Sequence, residues 1–122
     1  MMKKKILVIE DNEDNRRIVR DLLTSADYEV IEAVTGQEGV TAAETQGPEL
    51  ILMDIQLPDF DGYEATRRIK ANPALSPIPI IAVTSYALSG DDVKAFEAGC
   101  DAYVTKPFSP RELLAKIREY LQ

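Results

Sequence analysis

The chain has 122 residues, a length that suits one compact domain with its own core and is too short for two ordinary domains. Hydrophobic residues make up 45% of it and charged residues 29%, proportions typical of a folded globular protein and unlike those of disordered or fibrous chains. The 21 acidic residues outnumber the 14 basic ones and give a net charge of -7, which disfavours binding to the phosphate backbone of nucleic acids.

The sequence has no feature of an exported or membrane-spanning chain. No apolar run approaches the roughly 20 residues that cross a bilayer, and Met1 to Lys5 leads into a short strand-like run instead of a signal-peptide core. We therefore expect a cytoplasmic protein. The single cysteine, Cys100, cannot form an internal disulfide, and the absence of histidine excludes a histidine-bearing zinc site or a Cys-His nucleophile. We expect Cys100 to be a small buried residue instead of a redox sensor.

Short apolar runs along the chain predict five strands. They lie at Ile6–Ile9, Glu29–Ala33, Leu50–Met53, Ile78–Val83 and Ala102–Val104. All except the second are continuously apolar, as parallel strands buried on both faces are. The second run mixes polar and apolar residues, which is typical of an edge strand.

The segments between these strands have the period of helices. Apolar positions recur three and four residues apart after the first strand and after the last one, which predicts one buried stripe on each of these helices. The stripes are Ile18, Val19, Leu22, Leu23 and Leu113, Leu114, Ile117, Tyr120, Leu121. Capping patterns begin two helices, at Thr35 and at Ser109-Pro110. Gly47-Pro48 ends the helix that begins after Thr35, and Asn72-Pro73 ends the next helix along the chain. Strand and helix alternate five times, which predicts right-handed βαβ crossovers and a parallel sheet with helices on both faces.

Polar residues gather where the predicted strands end. They are Glu10 and Asp11 after the first strand, Asp54 after the third, Thr84 and Ser85 after the fourth, and Lys106 after the fifth. Any one of them could be a solvated loop charge. Ligands of such sheets, however, bind beyond the carboxyl ends of the strands, so the whole set predicts a site at this rim.

The chemistry of this set favours a divalent cation and a phosphoryl group. Three neighbouring carboxylates repel one another unless a counter-charge is present. Their oxygens are hard ligands, which favours Mg²⁺, with Mn²⁺ as the alternative. One carboxylate remains to act as a nucleophile, and Lys106 and Thr84 can neutralise the phosphoryl oxygens. A cis peptide bond between Lys106 and Pro107 would aim the ammonium group inward.

Several runs resemble the response-regulator receiver family, in order and at the family's spacing across essentially the whole chain. They are Ile6-Leu-Val-Ile-Glu-Asp-Asn12, Leu52-Met-Asp-Ile-Gln-Leu-Pro58 with Asp61-Gly62, Val83-Thr-Ser-Tyr86 and Tyr103-Val-Thr-Lys-Pro-Phe108. The resemblance implies a flavodoxin-like (βα)5 fold with strand order 2-1-3-4-5. It also implies a single receiver domain over residues 1–122, without an output domain, that acts as a signalling phosphoacceptor and not as an enzyme on other substrates.

The resemblance assigns roles at the metal site. Asp54 would be the phosphorylated aspartate, and the Mg²⁺ ligands would be Asp11, Asp54 and the backbone carbonyl of Gln56. The family often has two aspartates at the acidic pair, whereas this chain has Glu10 followed by Asp11. Because glutamate has an extra methylene group, we expect Glu10 to contact the metal ion through a water molecule.

Further roles follow from the same resemblance. The residues implied to contact the phosphoryl group are Thr84, Ser85 and Lys106. Thr84 and Tyr103 would form the conformational switch, although Tyr103 could also be an aromatic residue that only covers the core. Gln56 and Tyr86 lie two residues beyond Asp54 and Thr84 and would set the lifetime of the phosphoaspartate.

The implied partners are proteins: a sensor histidine kinase or a histidine phosphotransfer protein, which would meet the first helix, and a downstream target. The oligomeric state implied is a monomer or a weak, phosphorylation-dependent dimer. Among single-domain relatives of the chemotaxis and cell-division-control types, Val83 to Asp92 and Ala98 to Tyr103 resemble the second type more.

Two alternatives were weighed against this interpretation. A flavin protein or a haloacid-dehalogenase-type phosphatase is disfavoured, because that phosphatase family has a second aspartate where this chain has Gln56, and no glycine-rich phosphate loop occurs. A pseudo-receiver, with the fold but without phosphorylation, usually lacks the acceptor aspartate, the lysine or the acidic pair. All of these are present here.

Overall fold

The computed structural model describes residues 3–84 and 91–121, and within them five strands and five helices alternate. The strands are Lys5–Ile9 (β1), Glu29–Ala33 (β2), Leu50–Asp54 (β3), Ile80–Thr84 (β4) and Ala102–Thr105 (β5). The helices are Glu13–Ser25 (α1), Gly36–Gln46 (α2), Gly62–Lys70 (α3), Asp91–Ala98 (α4) and Pro110–Tyr120 (α5). The predicted alternation of strands and helices is confirmed.

The strands form one parallel sheet in the order β2-β1-β3-β4-β5, which confirms the predicted order. In register, Ile9 of β1 pairs with both Ala33 and Met53, and Asp54 of β3 pairs with Val83. The carboxyl ends of the strands are therefore level with one another. Strand order reverses between β1 and β3, the place where open α/β sheets bind ligands.

β1, β3 and β4 are buried on both faces, because helices cover the sheet on each side. β5, which the sequence also predicts to be buried, lies at the second edge of the sheet, and only Ala102 of its four residues is buried. One layer contains Leu7, Ile9, Ile51 and Met53 with α2, α3 and α4, and the other contains Ile6, Val8, Leu50 and Leu52 with α1 and α5. Alternate side chains of each strand point to opposite layers, so both faces need apolar residues. β2 lies at the edge of the sheet and exposes Glu29, as its mixed composition predicts.

The ends of the helices agree with the capping predictions. Thr35 accepts a hydrogen bond from the backbone N–H of Glu38 at 3.0 Å, and Ser109 accepts one from Glu112 at 3.1 Å. Gly47 ends α2 in the left-handed region, with φ of 61°. The largest difference from the predicted strand boundaries is at β4, which begins at Ile80 instead of Ile78, because the intervening Pro79 has no N–H to donate to a neighbouring strand. The other strand ends differ from the prediction by at most one residue.

Cys100 is buried, as predicted, and its Sγ lies 3.6 Å from Oγ1 of Thr66. Burial raises the pKa of its thiol, which keeps the group protonated and unreactive. None of the helices in the described parts of the chain combines the length and the apolar character that crossing a membrane would require.

Candidate functional site

Three carboxylates meet at the carboxyl ends of β1 and β3. Glu10 is the residue after β1, and its backbone N–H donates to the carbonyl of Ala33 at 3.0 Å, which continues the ladder of the sheet. Asp54 is the last residue of β3. Glu10 and Asp54 are only 5% and 6% exposed, whereas Asp11 is exposed to solvent. Each residue contributes a carboxylate oxygen that lies within 4.8 Å of the other two, a separation at which one cation can bind all three.

Lys106 brings a positive charge to this acidic cluster from the far edge of the sheet. Its Nζ lies 2.7 Å from Oε1 of Glu10 and 3.5 Å from Oδ2 of Asp54. The Lys106–Pro107 peptide bond is cis, and the backbone N–H of Lys106 donates to the carbonyl of Thr84 at 2.7 Å. Both the cis bond and the inward ammonium group were predicted from the sequence, and both are confirmed.

The electrostatics of the cluster show an excess of negative charge. Burial raises the pKa of Glu10 above its ordinary value of 4.5, and the hydrogen bond and charge of Asp54 raise it further, while Lys106 lowers it. Three carboxylates share the single ammonium group of Lys106, so their formal charges leave the cluster negative. The donor set consists of hard oxygens, so the residues present fit a divalent cation of the Mg²⁺ type.

The loop between β3 and α3 is held close to Asp54. Oδ1 of Asp54 accepts a hydrogen bond from the backbone N–H of Gln56 at 3.1 Å, and the N–H of Gly62 donates to the carbonyl of Ile55 at 2.8 Å. A Cβ atom at Gly62 would overlap the carbonyl oxygen of Asp54, so only glycine allows α3 to begin this close to β3. Asp61 caps the same helix by accepting from Glu64 at 2.9 Å. These contacts place the backbone of Gln56 beside the acidic cluster.

The other predicted site residues lie at the same rim or just behind it. Thr84 ends β4, is buried and pairs in register with Thr105. Tyr103 of β5 is half-buried and packs against the core layer under α2, α3 and α4. Ser85 and Tyr86 lie outside the described residues, so their predicted roles stay predictions. Asn12 caps α1 by accepting a hydrogen bond from the backbone N–H of Asn15 at 2.9 Å, and this contact shapes the loop after β1.

A cavity of about 600 Å³ adjoins the acidic cluster on the α1 and α5 side of the sheet. Its lining includes Glu10, Asp54 and Lys106 together with apolar side chains of α1, α5 and the strands. Ile18 of α1 belongs to this lining and is 62% exposed.

The periodicity predicts Ile18 on the buried stripe of α1 and Tyr120 on that of α5, and both predictions are wrong. Ile18 borders the cavity that α1 and α5 leave open between them. Tyr120 is 38% exposed, with its hydroxyl group donating to the backbone carbonyl of Asp101 at 3.0 Å.

Sequence reasoning missed two contacts that hold the loops of the site. Arg16 donates from Nη1 to the backbone carbonyl of Glu10 at 3.1 Å, and its Nε donates to Glu32 of β2 at 3.0 Å. Asp59, in the loop before α3, accepts hydrogen bonds from the first residues of α2. Each residue looks like an ordinary surface charge in the sequence. Their hydrogen-bond partners are known only from the folded structure, in which Arg16 lies beside β2 and Asp59 lies beside α2.

Comparisons with known proteins agree with this geometry. Residues 6–118 match the family model of the response regulator receiver domain. The chain is 42% identical over 120 residues to the polar-differentiation response regulator DivK of Brucella ovis, covering 98% of each protein.

Two solved structures are similar to the chain in fold and sequence. A CheY-like receiver domain protein from Methanospirillum hungatei has a TM-score of 0.88 and 37% identity, over 98% of this chain and 94% of that one. The receiver domain of a sensor histidine kinase from Pseudomonas aeruginosa has a TM-score of 0.92 and 38% identity, over 98% of both. That domain was crystallised with a magnesium ion coordinated in its active-site cleft.

The family match covers nearly the whole chain, and the relatives share its length, fold and, at 37% to 42%, its sequence. Receiver domains of this kind are signalling domains that histidine kinases phosphorylate and that act on downstream targets. The chain belongs to the response regulator receiver domain family of two-component systems.

Proposed function

We propose that this chain is a phosphoacceptor that receives a phosphoryl group on Asp54 from a phosphohistidine, in a reaction that depends on Mg²⁺. The donor would be a sensor histidine kinase or a histidine phosphotransfer protein in the cytoplasm. The observation that carries the proposal is the meeting of Glu10, Asp11, Asp54 and Lys106 at the carboxyl ends of β1, β3 and β5. This set offers a nucleophile, ligands for a cation and a charge for the phosphoryl oxygens.

The metal ligands in this proposal are the side chains of Asp11 and Asp54 and the backbone carbonyl of Gln56. Glu10 would contact the ion through water, because its Oε1 is already bound by Lys106 at 2.7 Å. When bound, Mg²⁺, or Mn²⁺ in its place, would supply positive charge that offsets the carboxylates and the incoming phosphoryl oxygens.

In the transfer step, a carboxylate oxygen of Asp54 bonds to phosphorus while the bond between phosphorus and the imidazole nitrogen breaks. The electron pair of that bond stays on the leaving nitrogen. Lys106 neutralises charge on the transferred oxygens, and its Nζ, 3.5 Å from Oδ2 of Asp54, is already near them. The hydroxyl groups of Thr84 and Ser85 donate hydrogen bonds to the same oxygens.

The new charge on Asp54 is the signal in this proposal. A phosphoryl group adds strong acceptors next to Thr84, and the movement of Thr84 and Tyr103 passes the change to the surface that a downstream protein contacts. Gln56 and Tyr86 flank the path of the water that hydrolyses the phosphoaspartate and set its lifetime. The protein would be a monomer or a weak dimer that phosphorylation stabilises.

The cavity beside α1 supports a protein phosphodonor. It is continuous with Asp54, and Ile18 at its margin is an exposed apolar side chain. A helix of the donor that covers Ile18 would place its phosphohistidine over Asp54 and exclude water from the reaction.

The test is the reaction of wild-type and Asp54→Asn protein with acetyl phosphate, with and without Mg²⁺. Intact mass should show one phosphoryl adduct on the wild type, only with Mg²⁺, and none on Asp54→Asn. Asp61→Asn is the matched control, because it makes the same change in the same loop and keeps an oxygen to cap α3. An adduct that persists in Asp54→Asn, or a wild type without adduct, would contradict the proposal.

A further inference from the structure

Asp59 joins the loop between β3 and α3 to the beginning of α2. Its Oδ1 accepts a hydrogen bond from the backbone N–H of Gly36 at 2.8 Å, and its Oδ2 accepts one from Gln37 at 2.9 Å. Desolvation raises the pKa of Asp59, but hydrogen bonds from the backbone N–H groups of Gln37, Gly36 and Phe60 outweigh it and hold the pKa below its ordinary value of 3.8. The carboxylate is therefore ionised at neutral pH and carries the charge that a helix N-terminus favours.

Phe60 closes the same junction. A Cβ atom at Gly36 would lie 2.5 Å from Cε2 of Phe60, so the ring lies directly against the backbone at the start of α2. The guanidinium group of Arg68 covers the ring at 3.9 Å from its centroid. The loop is thus held on α2 by two adjacent side chains, one polar and one aromatic.

Helix α2 does not need Asp59 for its own cap. Thr35 already accepts from Glu38 at 3.0 Å, and Glu38 reaches back to the N–H of Val34 at 3.4 Å. Without Asp59 the helix would keep this local cap, whereas the loop would lose its hydrogen bonds to α2. The contact therefore serves the position of the loop more than the formation of the helix.

The held loop contains Gln56, three residues before Asp59. Its two ends are fixed on β3, by the hydrogen bond from Gln56 to Asp54 at 3.1 Å and by the one from Gly62 to Ile55 at 2.8 Å. Asp59 adds a third point of attachment, on an element that brings no ligand to the acidic cluster. The backbone that carries Gln56 is therefore held between three points of attachment.

We propose that Asp59 is a positioning residue for the metal site, which orients the backbone carbonyl of Gln56 by fastening its loop to Gly36 and Gln37 of α2. The inference rests on the proposed function, in which this carbonyl is a Mg²⁺ ligand. Groups that orient metal ligands commonly change metal affinity by about 10-fold to 100-fold when they are removed.

The experiment measures the Mg²⁺ dissociation constant by isothermal titration calorimetry on the full chain, with thermal unfolding in parallel. Asp59→Ala should raise the dissociation constant by about tenfold. Asp59→Asn keeps one acceptor oxygen and should give a smaller rise, since its amide group cannot accept from the second N–H. Thr35→Ala removes a cap from the same helix end without touching the loop, so it should lower the melting temperature and leave Mg²⁺ affinity unchanged.

Asp61→Asn controls for charge, because it removes one negative charge from the same loop while α3 keeps a capping oxygen. Two outcomes would overturn the role of Asp59. One is a rise in the dissociation constant that is equal in Asp59→Asn and Asp61→Asn, and the other is a rise that is equal in Asp59→Ala and Thr35→Ala. Unchanged affinity in Asp59→Ala, with normal binding and phosphorylation of the wild type, would overturn this inference alone. A wild type that neither binds Mg²⁺ nor forms the adduct would overturn it together with the proposed function.

Discussion

Lys106 places a positive charge between two buried carboxylates of the acidic cluster. Its ammonium group lies 2.7 Å from Glu10 and 3.5 Å from Asp54, two carboxylates that are almost completely buried. The same group is required in our proposal to neutralise the transferred phosphoryl group. We therefore expect Lys106 to compete with Mg²⁺ for the carboxylates before phosphorylation and to assist Mg²⁺ in the proposed transfer.

These two expected roles predict that Lys106→Met increases Mg²⁺ affinity and decreases the rate of phosphorylation. Mg²⁺ affinity should increase by about tenfold, a fraction of the about 4 kcal/mol between unit charges 4 Å apart at an effective dielectric of about 20. Phosphorylation by acetyl phosphate should become slower at saturating Mg²⁺, because the transferred oxygens lose a charge partner. Calorimetric titration and the time course of adduct formation measure the two effects.

Lys116→Met is the control for Lys106→Met, since Lys116 lies on α5 and pairs with Glu119 at 3.5 Å. It should change neither quantity. Mg²⁺ affinity that falls in Lys106→Met would show that Lys106 supports metal binding instead of competing with it.

At the scale of elements, the site depends on how closely α3 begins beside β3. Gly62 is the first residue of α3, and its α-carbon faces the backbone of Asp54 and Ile55. Any side chain at this position would meet the carbonyl oxygen of the residue that we propose is phosphorylated. The close junction between β3 and α3 therefore affects both the stability of α3 and the geometry of the site.

We expect Gly62→Ala to lower the free energy of unfolding by about 1 to 3 kcal/mol, the usual cost of overpacking, and also to weaken Mg²⁺ binding. The new methyl group would lie 2.8 Å from Cα of Ile55, so β3 or α3 must move. Chemical denaturation and Mg²⁺ titration measure the two effects.

Gly47→Ala provides a comparison with a different cause of strain. Gly47 has φ of 61° and no atom near its would-be Cβ, so alanine there costs about 1 to 2 kcal/mol through the backbone alone. It should leave Mg²⁺ affinity unchanged. Equal loss of Mg²⁺ affinity in both variants would mean that general destabilisation, and not the β3–α3 junction, weakens the site.

At the scale of the whole molecule, the acidic cluster opens toward the cavity between α1 and α5, whereas α4 exposes its apolar residues elsewhere. Ile18 lines that cavity, and Val93 of α4 is exposed to a similar extent, 52% against 62%. The two residues offer a matched pair of apolar surface positions, of which only Ile18 adjoins Asp54.

We expect Ile18→Ala to slow phosphotransfer from a phosphorylated histidine phosphotransfer protein by about tenfold at limiting donor concentration, as loss of an apolar anchor at an interface does. Its rate with acetyl phosphate should stay the same, because a small donor does not contact α1. Val93→Ala should affect neither rate. If Ile18→Ala slowed both donors equally, the residue would act on the site itself and not on docking.

Local patterns in the sequence predict the strands and helices and place the polar residues of the candidate site at strand ends. Continuous apolar runs identified buried parallel strands, and the capping residues Thr35 and Ser109 placed the beginnings of two helices. Motif order placed Glu10, Asp11, Asp54, Thr84 and Lys106 at strand ends. These predictions succeeded because periodicity, capping and strand ends depend on residues that are close together along the chain.

The side-chain contacts among these residues become visible only in the folded structure. Lys106 binds a carboxylate that is 96 residues away in the chain, and Asp59 binds an N–H group 23 residues away. Neither contact leaves a local pattern, because each depends on strand order and on the register that brings the strand ends level. The open cavity beside Ile18 was not predicted for a related reason. An apolar stripe shows which face of a helix turns toward the core. The separation of α1 and α5, in contrast, depends on how both helices pack on the sheet.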